Sequence, residues 1–386
     1  MSTIPRRSNL GRHWNLKENT IFLNHGSFGA CPEPIFNSLI KWQKKLEREP
    51  VKHLAFDVYD YLEESRAALG AYINCDKEDL AFFPNPSTAL NTVLRSLKLE
   101  KGDEILTTDH EYGAMDRAWS FLSKKKGIRY IKQKVNLPIK SKESFINDFI
   151  KGVSEKTKVI FLSQITSSTA LVFPVQEICD FARENNIITI IDGAHVPGQI
   201  KLDIKKINPD FYSGACHKWM CSPKGVAFLY VKKKFQNTIE PLVISWGYEA
   251  EKPSKSQFLD YLQWQGTNDM SAYLTIPDTI DFLKTNNWNT VSDKCQSLNH
   301  WAKEEIIKEL GVKEVSSNAF TAKQMSSFFL KLSDDPVKDQ VEFYRKYKIQ
   351  VPFISWNNQT LFRISIQVYN TKQDIYKLIQ ALKYYI

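Results

Sequence analysis

The chain has 386 residues, of which 42% are hydrophobic and 25% are charged. This ordinary globular composition excludes a disordered tail protein, a collagen and a disulfide-rich miniprotein, and the length predicts two domains because single cores stop growing near roughly 250–300 residues. The net charge of +9 comes mostly from scattered lysines, so we interpret it as a solvated basic surface and expect no nucleic-acid partner.

The sequence also argues against a membrane protein or a secreted one. No apolar run approaches the ~18 residues of a membrane span, and the basic first residues are not followed by the apolar core of a secretory signal. The six cysteines show no paired CxxC spacing, and we interpret them as reduced thiols of a cytoplasmic protein. We expect no metal site.

The apolar pattern alternates short strands with amphipathic helices, which is typical of a parallel α/β sheet. The runs VIFLS and IITIID are nearly continuous, as expected of strands covered on both faces. In chain order, the predicted elements are helices Glu33–Glu47 and Phe56–Tyr72, strands Glu104–Thr108 and Lys158–Ser163, a crossover helix at Val175–Asn185, and strands Ile187–Asp192, Asp210–Gly214 and Val226–Val231.

The pattern changes after Gly266, where helices dominate before two strands and a last helix. We interpret this part as a smaller α+β domain. The predicted organisation is an N-terminal arm over residues 1–30, a large domain over residues 31–270 and a small domain over residues 271–386. In chain order, the predicted elements of the small domain are helices Ala272–Lys284 and Trp288–Leu310, strands Ser326–Leu332 and Gln359–Ile366, and helix Lys372–Tyr385.

The stretch from Ile187 to Gly225 carries the most informative residues. Asp192 ends a predicted buried strand, where ligands bind in doubly wound sheets, although an aspartate there is often only a cap. Lys218 lies between His217 and Trp219, and such neighbours can desolvate its amine and make it nucleophilic. A nucleophilic lysine and a strand-end aspartate suit pyridoxal 5'-phosphate (PLP), which needs a Schiff-base lysine and a carboxylate that keeps its pyridine nitrogen protonated.

A phosphate group of such a cofactor needs a helix N-terminus. The residues Asn85–Thr88 precede the helical run Ala89–Leu97, and their backbone N–H groups and the hydroxyls of Ser87 and Thr88 suit that role. The same residues are equally consistent with an ordinary helix cap.

Two motifs, DGAH at 192–195 and CHKW at 216–219, resemble the class V aminotransferase family of PLP-dependent enzymes. Four further motifs, in family order along the chain, resemble its isopenicillin-N-epimerase-like branch: FLNHGSFG at 22–29, DHEYG at 109–113, GTND at 266–269, and RIS at 363–365 with YN at 369–370. The resemblance implies the type I PLP-dependent transferase fold, with a large, mainly parallel-sheet α/β domain and a smaller C-terminal α+β domain.

The resemblance also implies roles around the cofactor ring. Lys218 would bind PLP as a Schiff base, Asp192 would pair with the pyridine nitrogen, and His195 would lie near the ring hydroxyl. Tyr112 matches the position that stacks on the ring, with His110 as the other candidate. Considered alone, His25 and His195 are better explained as buried, hydrogen-bonded structural histidines, and Tyr112 could be a core residue.

The cofactor phosphate would be held by Ser87, Thr88 and His217 of one chain. Thr267 would reach the phosphate of a neighbouring subunit, so the resemblance implies a homodimer with shared active sites. Two departures from the family leave the phosphate ligands open: Pro86 lacks an N–H group, and Ala215 stands where related enzymes often carry a polar ligand.

The remaining positions would face the substrate. Asn24 and Ser167 match substrate-facing positions, and Arg363 would bind the substrate α-carboxylate through its planar fork. An arginine is usually a surface residue, but Arg363 lies in the apolar run LFRISI, where an unpaired charge is costly.

One absence separates this chain from cysteine desulfurases, which resemble the family but carry a catalytic cysteine shortly before the carboxylate-binding arginine. The stretch Tyr344–Leu361 contains no cysteine, while Cys216 and Cys221 lie on the wrong segment. We therefore do not expect a desulfurase that uses a persulfide cysteine.

The resemblance implies PLP chemistry at the α-carbon of an amino acid. The first hypothesis is epimerisation, in which Lys218 removes the α-proton and a second group, Tyr112 or His25, returns a proton on the other face. The alternatives are a β-elimination C–S lyase acting on a cysteine conjugate and an aminotransferase. A nucleic-acid-binding protein would leave Asp192 and Lys218 unexplained.

Overall fold

Most predicted elements are present in the computed structural model, which describes residues 8–385. The first seven residues of the predicted N-terminal arm lie outside this range. In chain order, the strands are β1 Ile21–Phe22, β2 Leu80–Phe83, β3 Glu104–Thr108, β4 Arg129–Gln133, β5 Thr157–Ser163, β6 Ile188–Asp192, β7 Phe211–Ala215, β8 Ala227–Val231, β9 Met325–Phe329, β10 Ile349–Gln350, β11 Phe353–Trp356 and β12 Gln359–Ser365.

The longer α-helices are Glu33–Arg48, Val58–Ile73, Pro86–Ser96, Gly113–Lys126, Lys142–Ile150, Val175–Glu184, Gln257–Gln263, Ile276–Thr285, Trp288–Leu310, Pro336–Tyr347 and Lys372–Tyr385. The shorter ones are His25–Phe28, Pro50–Lys52, Ile204–Ile207, Lys233–Gln236 and Ser271–Leu274, with 3-10 turns at Leu10–His13 and Lys77–Asp79 and a π-helical turn at His53–Asp57. The predicted helix Ala272–Lys284 is corrected to two helices, because Pro277 supplies no N–H for a continuous ladder.

Within residues 8–385, seven strands form the large sheet, in the order β2-β8-β7-β6-β5-β3-β4. Strand β8 runs antiparallel to both of its neighbours, and the other pairs are parallel. Successive residues of β5 point into different cores, with Val159 and Phe161 on one face and Ile160 and Leu162 on the other. Burial on both faces explains the continuous apolar runs, and the predicted mainly parallel sheet is confirmed.

The C-terminal part contains an antiparallel sheet in the order β11-β12-β9. Strand β1 pairs in parallel with β10, so the segment near residue 21 joins the C-terminal part. Leu23 accordingly packs in the core formed by Phe328, Phe362 and Ile364. The domain boundaries at residues 30 and 270 stay predictions.

The described residues contain no helix that is long and apolar enough to cross a membrane. Among residues 8–385 there is also no cluster of histidine, cysteine and acidic side chains that could hold a metal ion.

Candidate active site

The carboxyl ends of the central parallel strands bring polar residues together at one edge of the large sheet. In the strand register, Asp192 at the end of β6 lies between Ser163 of β5 and Ser213 of β7. Ligands of open α/β sheets bind beyond this edge, so the register places Asp192 where the sequence predicts a ligand contact.

Asp192 is 4% exposed, and its Oδ1 accepts a hydrogen bond from the N–H of Ala194 at 2.9 Å. Burial raises the pKa of this carboxyl, while the Ala194 N–H and the positive charge of Lys218 lower it. The next residue, Gly193, has to be a glycine, because a Cβ atom at this position would come 2.0 Å from the hydroxyl of Tyr212. The Asp-Gly pair therefore provides both the carboxylate and the room for the turn that holds it.

Lys218 lies in the loop after β7, with its Nζ 3.2 Å from Nε2 of His195. Burial lowers the pKa of the Lys218 amine to about 8, against the opposing attraction of Asp192 and with a further lowering by the charge of Arg363. The neutral fraction of this amine near pH 7 is therefore far larger than that of an ordinary lysine, and the neutral form is the one that attacks a carbonyl group.

The hydrogen bonds of His195 define its tautomer. The indole N–H of Trp219 donates to Nδ1 of His195 at 3.3 Å, so the ring proton of the neutral histidine lies on Nε2. Burial holds the pKa of His195 well below its usual value, with a further lowering by Lys218 and Arg363. The proton on Nε2 points to the Lys218 amine, which can accept it only when that amine is neutral.

The predicted phosphate residues lie in the first turn of helix Pro86–Ser96. Asn85 caps this helix, because its Oδ1 accepts from the N–H of Thr88 at 2.8 Å and from its hydroxyl at 3.1 Å. Pro86 occupies the first helical position, where an N–H group has no partner within the helix. Both the cap and a phosphate site use this terminus, and the cap already occupies part of it.

His217 stands next to Lys218, but its ring is oriented by a backbone contact. Its Nδ1 donates to the carbonyl of Val226 at 2.8 Å, which leaves Nε2 of the neutral ring as an acceptor. Burial lowers the pKa of His217 to about 4, with a further contribution from Lys218. His217 can therefore donate to a phosphate through Nε2 only if the anion itself induces its protonation.

The two candidates for the stacking ring differ in burial. His110 is fully buried, with Nδ1 2.8 Å from the Thr169 hydroxyl and its ring centroid 4.6 Å from that of Trp356. Tyr112 precedes helix Gly113–Lys126 and is 47% exposed. The two side chains therefore differ in exposure, and the stacking role stays a prediction for Tyr112 with His110 as the other candidate.

Arg363 on β12 is a buried charge without an acidic partner. Its side chain is 2% exposed, and no carboxylate among residues 8–385 forms an ion pair with it. One terminal nitrogen donates to the carbonyl of Ser167; the other donates to the Ser27 hydroxyl at 3.0 Å and lies 3.4 Å from Oδ1 of Asn24. Its Nε is buried and has no partner within the described range. Burial lowers the pKa of Arg363 only to about 10, so the guanidinium stays charged at neutral pH.

Both ring nitrogens of His25 are occupied. Nε2 donates to the backbone carbonyl of Lys218 at 2.9 Å, and Nδ1 lies 2.8 Å from the hydroxyl of Tyr369. Burial lowers the pKa of His25 to about 3. A neutral ring whose proton is held by a backbone carbonyl is poorly suited to the predicted catalytic role of His25 as a second acid.

The match to known proteins is consistent with this arrangement. The family model for aminotransferase class-V matches residues 35–378. The chain belongs to the aminotransferase class-V family. Members of this family are PLP-dependent enzymes, so the predicted cofactor is confirmed.

Individual class-V proteins differ in activity. An isopenicillin N epimerase from Amycolatopsis lactamdurans is 29% identical, over 94% of each chain. A putative L-cysteine desulfhydrase from Oryza sativa subsp. japonica is 26% identical, over 93% of this chain and 82% of its own. The cystine C–S lyase C-DES, solved in complex with its product cysteine persulfide, has a TM-score of 0.83 at 20% identity and covers 95% of this chain and 97% of its own. At this identity the likeness shows the fold alone.

The residues at the sheet edge fit the class-V cofactor. The groups that PLP and an amino acid would engage are a buried amine, a buried carboxylate whose charge acts on it, and a buried guanidinium whose Nε has no partner among residues 8–385. Thr267 lies apart from these contacts, on an exposed groove. The contacts of Lys218, Asp192 and Arg363 described above do not include it.

Two residues join this class-V site without a predicted role. Glu111 is buried, and its carboxyl accepts from the N–H of Ser163 at 2.9 Å and from its hydroxyl at 2.6 Å. Burial raises the pKa of Glu111 to about 8, against its hydrogen bonds and with a small contribution from Asp192. The second residue is Ser27, which contacts Arg363. Each lies inside a quoted family motif, and that position was the available signal.

Proposed function

We propose that this class-V enzyme acts at the α-carbon of an amino-acid substrate and that its reaction is epimerisation. The observation that carries the proposal is the buried guanidinium of Arg363, which has a free Nε and no acidic partner among the described residues and whose positive charge also acts on the amine of Lys218. A substrate carboxylate would neutralise Arg363 and would place the α-carbon between these two side chains.

PLP, when bound, withdraws electrons from the α-carbon and so acidifies its proton. Asp192 would hold the pyridine nitrogen protonated, as its burial next to the sheet edge allows. Lys218 would bond the cofactor at rest and then, as a neutral amine, remove the α-proton through Nζ. His195 would keep that amine oriented through its Nε2 proton.

Epimerisation needs a second group that returns a proton to the opposite face of the α-carbon. Of the two candidates, His25 has both ring nitrogens engaged, whereas Tyr112 has an exposed side chain. We therefore assign the second proton transfer to the Tyr112 hydroxyl. Ser87, Thr88 and His217 stay the candidates for the phosphate, with Asn24 and Ser167 beside the substrate carboxylate.

A β-elimination C–S lyase is the second candidate, since the relatives include a putative cysteine desulfhydrase. A desulfurase with a persulfide cysteine is disfavoured, because hairpin β11–β12 contains no cysteine. Near Lys218, burial raises the pKa of the Cys216 and Cys221 thiols, so neither forms a thiolate readily.

We also include a homodimer with shared sites in the proposal. Thr267 lies in an exposed groove of about 390 Å³ whose other lining side chains are mostly apolar: Pro50, Val51, Leu54, Ala55, Tyr59, Trp246 and Trp264. An apolar groove around a predicted phosphate ligand supports a neighbouring chain at this surface.

Borohydride reduction followed by peptide mapping tests the cofactor link. We expect the reduced cofactor on the peptide that contains Lys218, and a Lys218→Ala variant should retain none. An unmodified Lys218 in protein that has bound PLP would contradict the proposal.

The reaction itself is tested with a panel of amino acids and cysteine conjugates in D₂O. Epimerisation puts deuterium at the α-carbon of recovered substrate and releases no keto acid. Release of pyruvate and ammonia from a cysteine-type substrate would replace epimerisation by the lyase reaction. Amines without the carboxylate should be poor substrates, and Arg363→Lys should raise KM because a point charge cannot replace the fork. Full activity on such amines would refute the role of Arg363.

A further inference from the structure

We infer that the segment of residues 24–29 is a positioning element that couples carboxylate binding at Arg363 to the orientation of Lys218, with His25 as its central positioning residue. The carboxylate part of this inference rests on the proposed function. The segment contains the short helix His25–Phe28 and lies far from both Lys218 and Arg363 in the sequence. Its contacts with each of them are direct.

The first contact is with the backbone that carries the cofactor lysine. His25 Nε2 lies 2.9 Å from the carbonyl oxygen of Lys218, and the ring centroids of His25 and Trp219 are 5.1 Å apart. Gly29 has a φ of +68°, and a Cβ atom there would come 2.1 Å from the carbonyl of His217. The segment therefore lies directly against His217 and Lys218 in the loop that follows β7.

The second contact is with the arginine. The hydroxyl of Ser27 donates to Oδ1 of Asn24 at 2.6 Å, and its oxygen accepts from Arg363 at 3.0 Å. Asn24 and Ser27 thus occupy donors of the guanidinium that a substrate carboxylate would use. A bound carboxylate competes with these two oxygens for the N–H groups of Arg363. The four-residue helix connects any resulting movement of Asn24 or Ser27 to His25.

The two hydrogen-bond partners of His25 determine which of its ring nitrogens carries the proton. The carbonyl of Lys218 can only accept, so Nε2 carries the proton and Nδ1 accepts from the hydroxyl of Tyr369. The amide nitrogen of Gln367 lies at a longer 3.4 Å from the same Nε2. His25 therefore holds the Lys218 backbone by donating a hydrogen bond and takes no part in proton transfer.

The test uses PLP-loaded protein and propionate, a carboxylate that has no amine and cannot react. The readout is the pH midpoint of the cofactor's visible absorbance, with its circular dichroism, measured with and without propionate. We expect propionate to shift this midpoint in the wild type. His25→Phe should reduce the shift by more than about half while propionate affinity changes by less than about threefold.

Matched variants separate positioning from a general loss of structure. His25→Gln keeps a donor near the Lys218 carbonyl and should retain most of the shift, and the exposed His13→Gln should leave it unchanged. If His25→Phe does not fold, Ser27→Ala supplies the test, because it removes the contact with Arg363 from a partly exposed position; it should weaken the shift.

The outcomes distinguish the coupling from the carboxylate site. A full shift in both His25→Phe and Ser27→Ala overturns the coupling and leaves the proposed function standing. If propionate binds to wild-type protein and to Arg363→Lys equally well, the carboxylate site itself is wrong, and the coupling fails with it.

Discussion

At the residue scale, the central pair is Lys218 and His195. A cationic lysine beside an Nε2–H group would present two donors to each other, so the 3.2 Å contact with this tautomer of His195 favours a neutral amine. Burial explains why the amine reaches that state near pH 8 rather than near its usual pKa above 10. The lowered pKa therefore gives Lys218 a larger neutral, nucleophilic fraction near pH 7 than an ordinary lysine has.

This state predicts how cofactor-free protein captures PLP. The rate should rise about tenfold per pH unit below the lowered pKa of Lys218, which is about 8, and should level off above it because the amine is then fully neutral. Stopped-flow absorbance measured across pH checks this. Lysine that is acetylated on its α-amine and keeps a free side-chain amine is the control in solution. Its rate should keep rising to about pH 10. A protein rate that follows the control would contradict the lowered pKa.

A second residue-scale prediction concerns Asp192. Asp192→Asn keeps the shape of the side chain and removes its charge, so the cofactor ring becomes a weaker electron sink. We expect kcat to fall on the order of 10³-fold while PLP stays bound. The measurement is turnover at confirmed cofactor occupancy, and near-normal turnover would exclude the assigned role. Ser213→Ala, at the neighbouring strand position, is the matched control for local packing.

At the element scale, hairpin β11–β12 joins the C-terminal sheet to the residues beyond β3. The indole N–H of Trp356 donates to the carbonyl of Asp109 at 2.9 Å, and Asn357 donates to its Oδ2 at 2.9 Å. The Trp356 ring also packs on His110. Since β12 carries Arg363, these contacts help to set the distance between the guanidinium and the large sheet.

Trp356→Phe should therefore affect both stability and substrate binding. The phenyl ring keeps the packing on His110 but loses the donor to Asp109, so we expect the free energy of unfolding to fall by about 1 kcal/mol. KM should rise more than kcat falls, because Arg363 is displaced while Lys218 is not. Denaturant unfolding and steady-state kinetics measure the two effects. Asn357→Ala, which removes an exposed contact, should produce less than half of either effect. An equal effect would argue against the half-buried indole donor of Trp356.

The elements that sequence could predict are those whose signal is local. Strands β5 and β6 appear as continuous apolar runs, and the helix Trp288–Leu310 was predicted to the residue. Strand β4 was not predicted, because RYIKQ is polar and lies at the edge of the sheet, and β2 has only four residues.

The site follows the same rule. Asp192 and Lys218 could be paired because Asp192 ends one strand and Lys218 follows a strand that ends at the same sheet edge. The contact of His25 with Lys218 spans 193 residues, and that of Ser27 with Arg363 spans 336. Such contacts depend on how the two sheets pack, and no local pattern encodes them.

At the scale of the whole molecule, the proposed homodimer would place the exposed Thr267 at the phosphate of the neighbouring chain, so that one chain alone would lack a complete phosphate site. Thr267→Asp should abolish activity, because its charge would repel the partner's phosphate, and Lys218→Ala should be inactive for lack of the amine. A mixture of the two inactive chains should recover about a quarter of wild-type activity, since half of the dimers are hybrids with one intact site. Each variant alone is the control, and a fully active monomer would exclude shared sites.

The pairing of β1 with β10 determines how late in synthesis the cofactor site can be completed. Asp192 and Lys218 leave the ribosome well before residues 349–350. The segment that contacts the Lys218 carbonyl comes directly after β1. The backbone N–H groups of Ile21 and Leu23 donate to the carbonyls of Lys348 and Gln350, so this segment is held in place only after those residues have been made. Contacts of such long sequence separation form late in folding. A nascent chain stalled near residue 320 should therefore already contain Lys218 and Asp192 but bind PLP weakly. Tight PLP binding should begin only once β10 and Tyr369 have emerged from the ribosome.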